Sequence, residues 1–119
     1  MGRQYDKQHA VTMRATAALA ANRFIAHDGG YATNAGGTKD TIGVSESSAG
    51  IGDVFPVITG FSALVTAVEP IAQHAFVKPA ADGSGMAATG TATDHCGRAM
   101  EAAVAGQLVE IRILPHRHT

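Results

Sequence analysis

Apolar and polar residues alternate in short bursts along this chain. In residues 10–15, Val11 and Met13 fall on one side of an extended backbone, and Thr12 and Arg14 on the other. In residues 108–114, Val109, Ile111 and Ile113 point one way, and Glu110 and Arg112 the other. A period of two marks a strand with one buried face. Five further segments rich in Val, Ile, Phe and Thr lie between: residues 23–26 around Phe24 and Ile25, 41–45 with Ile42 and Val44, 53–59, 63–68, and 75–78 around Phe76 and Val77. All read as strands. Residues 98–105 contain strong helix formers between Gly97 and Gly106. A strand followed by a loop is preferred there, for a reason that comes from the repeat below. Residues 15–22 stay open between a helical turn and a loop.

The breaks between strands are marked by glycine. Asp28-Gly29-Gly30, Ala35-Gly36-Gly37, Gly50-Ile51-Gly52 and Asp82-Gly83-Ser84-Gly85 all read as turns. Glycine supplies positive φ, and aspartate opens such turns by accepting from its own following backbone. Short strands with frequent turns predict a mainly β domain, a small barrel or a sandwich.

The chain also repeats itself. A shift of 54 residues lays Asp28-Gly29 on Asp82-Gly83, Gly36 on Gly90, Asp40 on Asp94 and Gly43 on Gly97. It also lays Ala49 on Ala103, Gly52 on Gly106, Phe55 on Val109 and Val57 on Ile111. Upstream, Phe24-Ile25 matches Phe76-Val77 if the second copy has two extra residues before its Asp-Gly. The shift keeps turn glycines and strand parity together, which implies two copies of one supersecondary unit. The units span about residues 23–59 and 75–113. Residues 98–105 then match 44–51, where Ser45-Glu46-Ser47-Ser48 is not helical in character. The expected layout is an N-terminal arm over 1–16 that runs into the first strand, one β domain over 17–114, and a tail over 115–119.

Composition narrows the function. A chain of 119 residues supports one domain. Its formal net charge of −1 gives no field to attract nucleic acid. Charged residues are 16% of the chain, against about 25% in typical soluble domains, so part of the surface is expected to meet a partner rather than water. Hydrophobic residues reach 45%, but alanine supplies much of that and there is no Trp, so the core is thin. Cys96 is the single cysteine, which excludes an intrachain disulfide and reads as a small buried hydrophobe. The N-terminus is polar through Gln8, without the apolar core of a signal peptide, and no stretch approaches the roughly 18–20 apolar residues of a membrane span. Synthesis in the cytoplasm of the producing cell is expected, with no membrane partner.

Little chemistry is visible. There is no phosphate loop, no paired Cys-x-x-Cys and no nucleophile elbow. His116 and His118 would share one face of a strand and could bind a metal, but no third ligand stands near them. His95 and Cys96, as strand neighbours, point to opposite faces. Asp28, Asp40, Asp82 and Asp94 form repeat-related pairs, and turns already account for the Asp-Gly positions. No cofactor and no enzymatic activity are expected.

The order of elements resembles that of small cement proteins that decorate the heads of tailed phages. The resemblance rests on three stretches. Arg23-Phe24-Ile25-Ala26-His27-Asp28-Gly29-Gly30 is a strand ending in an Asp-Gly turn, and Thr41-Ile42-Gly43-Val44 is the following strand. Ala49-Gly50-Ile51-Gly52-Asp53 then leads into Val54-Phe55-Pro56-Val57, and residues 97–113 repeat the theme. Pro56 departs from the pattern and should lie on an edge or at a bulge. The resemblance implies a protein on the outer capsid surface that bridges subunits of the major capsid protein. It also implies a homo-oligomer, with a trimer favoured. Within the arm, Tyr5, His9, Val11, Met13 and Arg14 are the candidate capsid contacts. Two alternatives stand beside it: another virion component, such as a head fibre or tail protein, and a small β-barrel that binds metal or ligand through His95, His116 and His118.

Overall fold

The computed structural model describes residues 10–34 and 36–117. They form β1 (Ala10–Arg14), β2 (Phe24–Ala26), β3 (Thr41–Ser45), β4 (Val54–Ile58), β5 (Ser62–Thr66), β6 (Phe76–Pro79), β7 (Ala87–Thr89), β8 (His95–Ala99) and β9 (Leu108–Arg117). The one helical element among the described residues is the 3-10 turn Gly37–Lys39. Every strand pairing is antiparallel. One sheet has the order β1-β4-β3-β2, and the other β5-β9-β8-β6-β7. The sheets stay open and stack face to face, so the architecture is a sandwich rather than a barrel.

Internal duplication sets the registers. β1 pairs with β4 from Ala10↔Ile58 to Arg14↔Val54, and β5 pairs with β9 from Ser62↔Arg112 to Thr66↔Leu108. The first member of each pair moves by 52 residues and the second by 54. The same two offsets relate Phe24↔Val44 to Phe76↔Arg98, and the bridge Leu19↔Ala49 to Ile71↔Ala103. Even a strained position is copied. Asn22 and His74 both have positive φ, and donate their N–H groups to the carbonyls of Ser45 and Ala99. The repeat thus begins earlier than residues 23 and 75, at β1 and β5. The second unit lengthens its hairpin into β7, where the first makes only the bridge Ile25↔Tyr31. Residues 15–22, left open above, form bends that carry the bridge Leu19↔Ala49, not a helical turn.

Each sheet has two faces, and the units use them differently. Ile25, Phe55 and Val57 of the first sheet pack under the loop that carries Ala15 and Leu19. The opposite face of that sheet, with Phe24, Val44 and Ile58, packs on Ala63, Val65, Val77, Val109 and Ile111 of the second sheet. That contact is the sandwich core. Backbone contact is close at one repeated point. A Cβ on Gly43 would run into the carbonyl oxygen of Ile58, and one on Gly97 would lie 2.9 Å from that of Arg112. Glycine is required there for space, not for a positive φ.

Three sequence expectations change. β7 and the first half of β8 were not legible as strands, because Ala-Ala-Thr and His-Cys-Gly carry few strand-forming side chains. β9 runs to Arg117, so residues 115–117 are strand rather than tail, held by the pairing His95↔Arg117. Pro56 lies in an interior strand rather than on an edge. Its carbonyl accepts from Glu46 at 3.2 Å, so its nitrogen faces the point where the β3 ladder ends and no donor is needed.

Gly43→Ala should lower stability by about 2–3 kcal/mol through this clash. That is a fall of roughly 10 °C in the thermal midpoint by circular dichroism for a domain of this size. A midpoint within about 2 °C of wild type would contradict the close approach of β3 and β4.

Candidate interaction surfaces

The chemistry-bearing side chains are mostly built into the fold. Cys96 is buried, and burial pushes its thiol up to about 12. His95 is buried beside it, with its ring centroid 4.5 Å from that of Phe76 and its Nδ1 2.9 Å from the Thr91 carbonyl oxygen. The carbonyl can only accept, so Nδ1 carries the proton. The pair is therefore no thiolate–imidazole couple.

The aspartates serve turns and ion pairs. Asp28 Oδ1 accepts from the Gly30 N–H at 2.9 Å, and Asp82 Oδ1 accepts from the Ser84 N–H at 2.9 Å. These are matching Asx turns in the two units. Partial burial pushes the Asp28 carboxyl up, but Lys39 Nζ at 2.8 Å and the Gly30 N–H outweigh it, and the net direction is down. Asp94 accepts from Lys78 Nζ at 3.1 Å and from Asn34 Nδ2 at 2.9 Å, which ties the second unit to the first.

His116 extends that tie. Its Nδ1 accepts the Thr41 backbone N–H at 2.8 Å, so Nδ1 is unprotonated. Its Nε2 then donates to Asn34 Oδ1 at 3.3 Å, and Asp40 Oδ1 stands 3.7 Å from Nδ1. Both ring nitrogens are engaged in joining the end of β9 to the first unit. His118 lies outside the described residues. Among the described residues, no group of three His, Cys, Asp or Glu side chains is placed to hold a metal ion.

Of the five arm positions named from sequence, Tyr5 and His9 lie outside the described residues. Val11, Met13 and Arg14 lie on β1, at the edge of the first sheet. Met13 packs against the cluster of Ile25, Phe55 and Val57. Arg14 donates to the Gly52 carbonyl at 2.7 Å, and Val11 is exposed. Of these three, Val11 offers the largest outward apolar surface. The unpaired side of β1 offers backbone groups that a further strand could meet.

A second surface was not legible in the sequence. Two shallow depressions adjoin on the outer face of the second sheet. One is lined by His74, Arg98, Ala99, Met100 and Arg112, the other by Phe61, Ser62, Met100 and Arg112. Phe61 and Met100 are exposed to 52% and 49%. The one signal available in advance was the repeat, which aligns Arg98 with Val44 and Arg112 with Ile58, two positions that the first unit buries.

Cys96 should not react with a thiol reagent at neutral pH until the protein unfolds. The sign of its pH dependence follows from a folded value raised from 9.0 to about 12. Its contribution is complete below pH 9 and is lost as pH climbs toward 12. Thiol titration of native and urea-unfolded protein checks this; fast reaction of the native chain would contradict the burial.

Comparison with known proteins adds a family. The sequence model of the family described as phage cement protein matches residues 4–113. Among solved structures, the chain is similar to the head fiber gp8.5 N base of bacteriophage phi29, with a TM-score of 0.71 and 23% sequence identity. The match covers 93% of this chain and 98% of that one. At that identity the likeness is one of fold. No curated protein matches the chain closely enough to count as a relative.

Proposed function

The chain belongs to the phage cement protein family, and from that membership we propose that it decorates the outer surface of the capsid and stabilises it by bridging subunits of the major capsid protein. The family match over residues 4–113 carries this reading, because it spans nearly the whole chain and includes both repeat units. The protein is a head-associated structural component of a phage virion, and its task is mechanical. A shell under internal pressure fails at the seams between subunits. A small protein that buries surface on both sides of a seam resists opening there, and many modest contacts repeated over a closed symmetric shell add up.

Several features suit that task. Residues 2–16 are proposed as the arm that reaches a neighbouring subunit, with Tyr5, His9, Val11, Met13 and Arg14 among its contacts. β1 lies at a sheet edge, where an added strand from a partner would find unpaired backbone groups. The protomer is proposed to act as a homo-oligomer, with a trimer favoured, on virions assembled in the host cytoplasm. A thin, alanine-rich core supports this, since association adds the burial that the isolated chain lacks. A second reading, as the base of a head fibre, is favoured by the fold shared with the phi29 head fiber base.

Purified protein mixed with capsids that lack it should co-sediment with them. Electron cryo-microscopy should then show many symmetric copies on the outer surface, each touching more than one capsid subunit. Attachment at one kind of site, with a fibre rising from it, would select the fibre reading. Absence of binding would overturn both.

A further inference from the structure

We propose that the outer face of the second sheet, around Phe61, Met100, Arg98 and Arg112, seats against a carboxylate-bearing surface of the shell protein; this rests on the reading above that the chain docks on a capsid. The repeat makes this face conspicuous. In the first unit, Phe24, Val44 and Ile58 are buried in the sandwich core. Their counterparts in the second unit are Phe76, Arg98 and Arg112, and nothing among the described residues covers the two arginines. One copy of this surface became interior, and the other was left facing out.

Two features of the uncovered copy go against local preference. Arg98 and Arg112 are direct partners across β8 and β9, with side chains on the same face. Like charges directly opposite one another on a sheet destabilise it. Arg98 cannot simply swing away. Its Nε donates to the His74 carbonyl at 2.9 Å, and its guanidinium lies 4.7 Å from the Phe76 ring centroid. The other feature is Phe61, which has a φ of 58° in the turn between the units. Bulky residues are strained in that conformation, which glycine or asparagine would accept. Its carbonyl accepts from the Ile113 N–H at 2.6 Å, and its ring projects outward.

Departures from local rules concentrate at functional sites. Here two of them share one groove, joined by Met100 and Arg112. A single kind of occupant answers both. A carboxylate between the arginines would remove their mutual repulsion, and planar guanidinium groups suit carboxylates. An apolar side chain beside it would cover Phe61 and Met100. The face also has a direction. Glu110 lies two residues from Arg112 along β9, and its N–H donates to the Glu101 carboxylate at 3.0 Å. The arginine end of the groove is where a partner carboxylate is drawn.

Three forms of the full chain decide the matter: wild type, Phe61→Gly, and the double variant Arg98→Thr with Arg112→Thr. Each is assayed for co-sedimentation with capsids that lack the protein, for thermal midpoint, and for oligomeric state by light scattering. The expected result is binding at least about tenfold weaker for both variants. The midpoint of Phe61→Gly should be equal to or above that of wild type, because strain has been removed; that of the double variant should stay close to wild type, because the relief of repulsion offsets the lost Arg98 bond to the His74 carbonyl and its stacking on Phe76. Added salt should weaken the double variant less than wild type. Wild-type affinity in both variants, with wild type bound, would overturn the groove and leave the cement reading standing. A change of oligomeric state without capsids would assign the groove to a contact between copies and overturn the shell assignment. Failure of wild type itself to bind would overturn both proposals together.

Discussion

The stacking of the first sheet on the second governs this molecule. Neither unit can close on its own. The first buries one face under its own loop and is left with Phe24, Val44 and Ile58 uncovered on the other. The second presents Ala63, Val65, Val77, Val109 and Ile111, and the two faces solve each other's exposure. Apolar burial contributes about 25 cal/mol per Å², and with alanine so frequent each position yields little. The face-to-face contact therefore has to be complete. That requirement explains why glycine stands at Gly43 and Gly97, where bulk would hold paired strands apart. It also explains the polar ties at the rim. The Thr41 N–H reaches His116, Asn34 reaches Asp94, and Phe24 donates to the Gly85 carbonyl, all from one unit to the other.

Much of this was legible in the sequence, and the failures share a cause. Strands β1 to β6 and β9 carry Val, Ile, Leu or Phe at alternating or clustered positions, and pattern alone finds them. The repeat was visible from Phe24 onward because turn glycines and aspartates anchor it, and both Asp28 and Asp82 do form Asx turns. It faded upstream because β1 reads Ala-Val-Thr-Met-Arg and β5 reads Ser-Ala-Leu-Val-Thr. Those strands share a register but no identities, since one is half solvent-exposed and the other lines the core. β7 and the first half of β8 were obscured by small residues and a glycine, which strand propensity cannot detect. The His116 pairing was out of reach, because it joins positions 75 residues apart and depends on where Pro115 lets β9 continue.

The contact surfaces show the same division. The arm was placed by resemblance, and three of its five named residues lie on an edge strand where only Val11 leaves a large apolar side chain exposed. Phe61 and Met100 gave no signal, because a single exposed aromatic after a glycine looks like any loop. They become informative only when the fold puts them in one groove with two arginines. The sequence did hold half of that observation. Valine and isoleucine in one unit align with arginine in the other, and a duplicated strand that trades a β-branched residue for arginine has changed its environment.

Duplication followed by divergence of one face accounts for the low charge as well. Each unit carries the same two faces, so stacking them in the same sense buries three and leaves one. A freely soluble domain would convert that last face to a mixed, well-separated charge pattern. This chain instead retains Phe76 beneath Arg98, places Arg112 directly opposite, and holds Phe61 and Met100 exposed nearby. On the proposed reading, such a face suits another protein that brings apolar groups to Phe61 and Met100 and carboxylates to the arginines. The stacking that makes the monomer thus also defines where it is incomplete. On the proposed reading, attachment to the shell supplies the missing fourth cover.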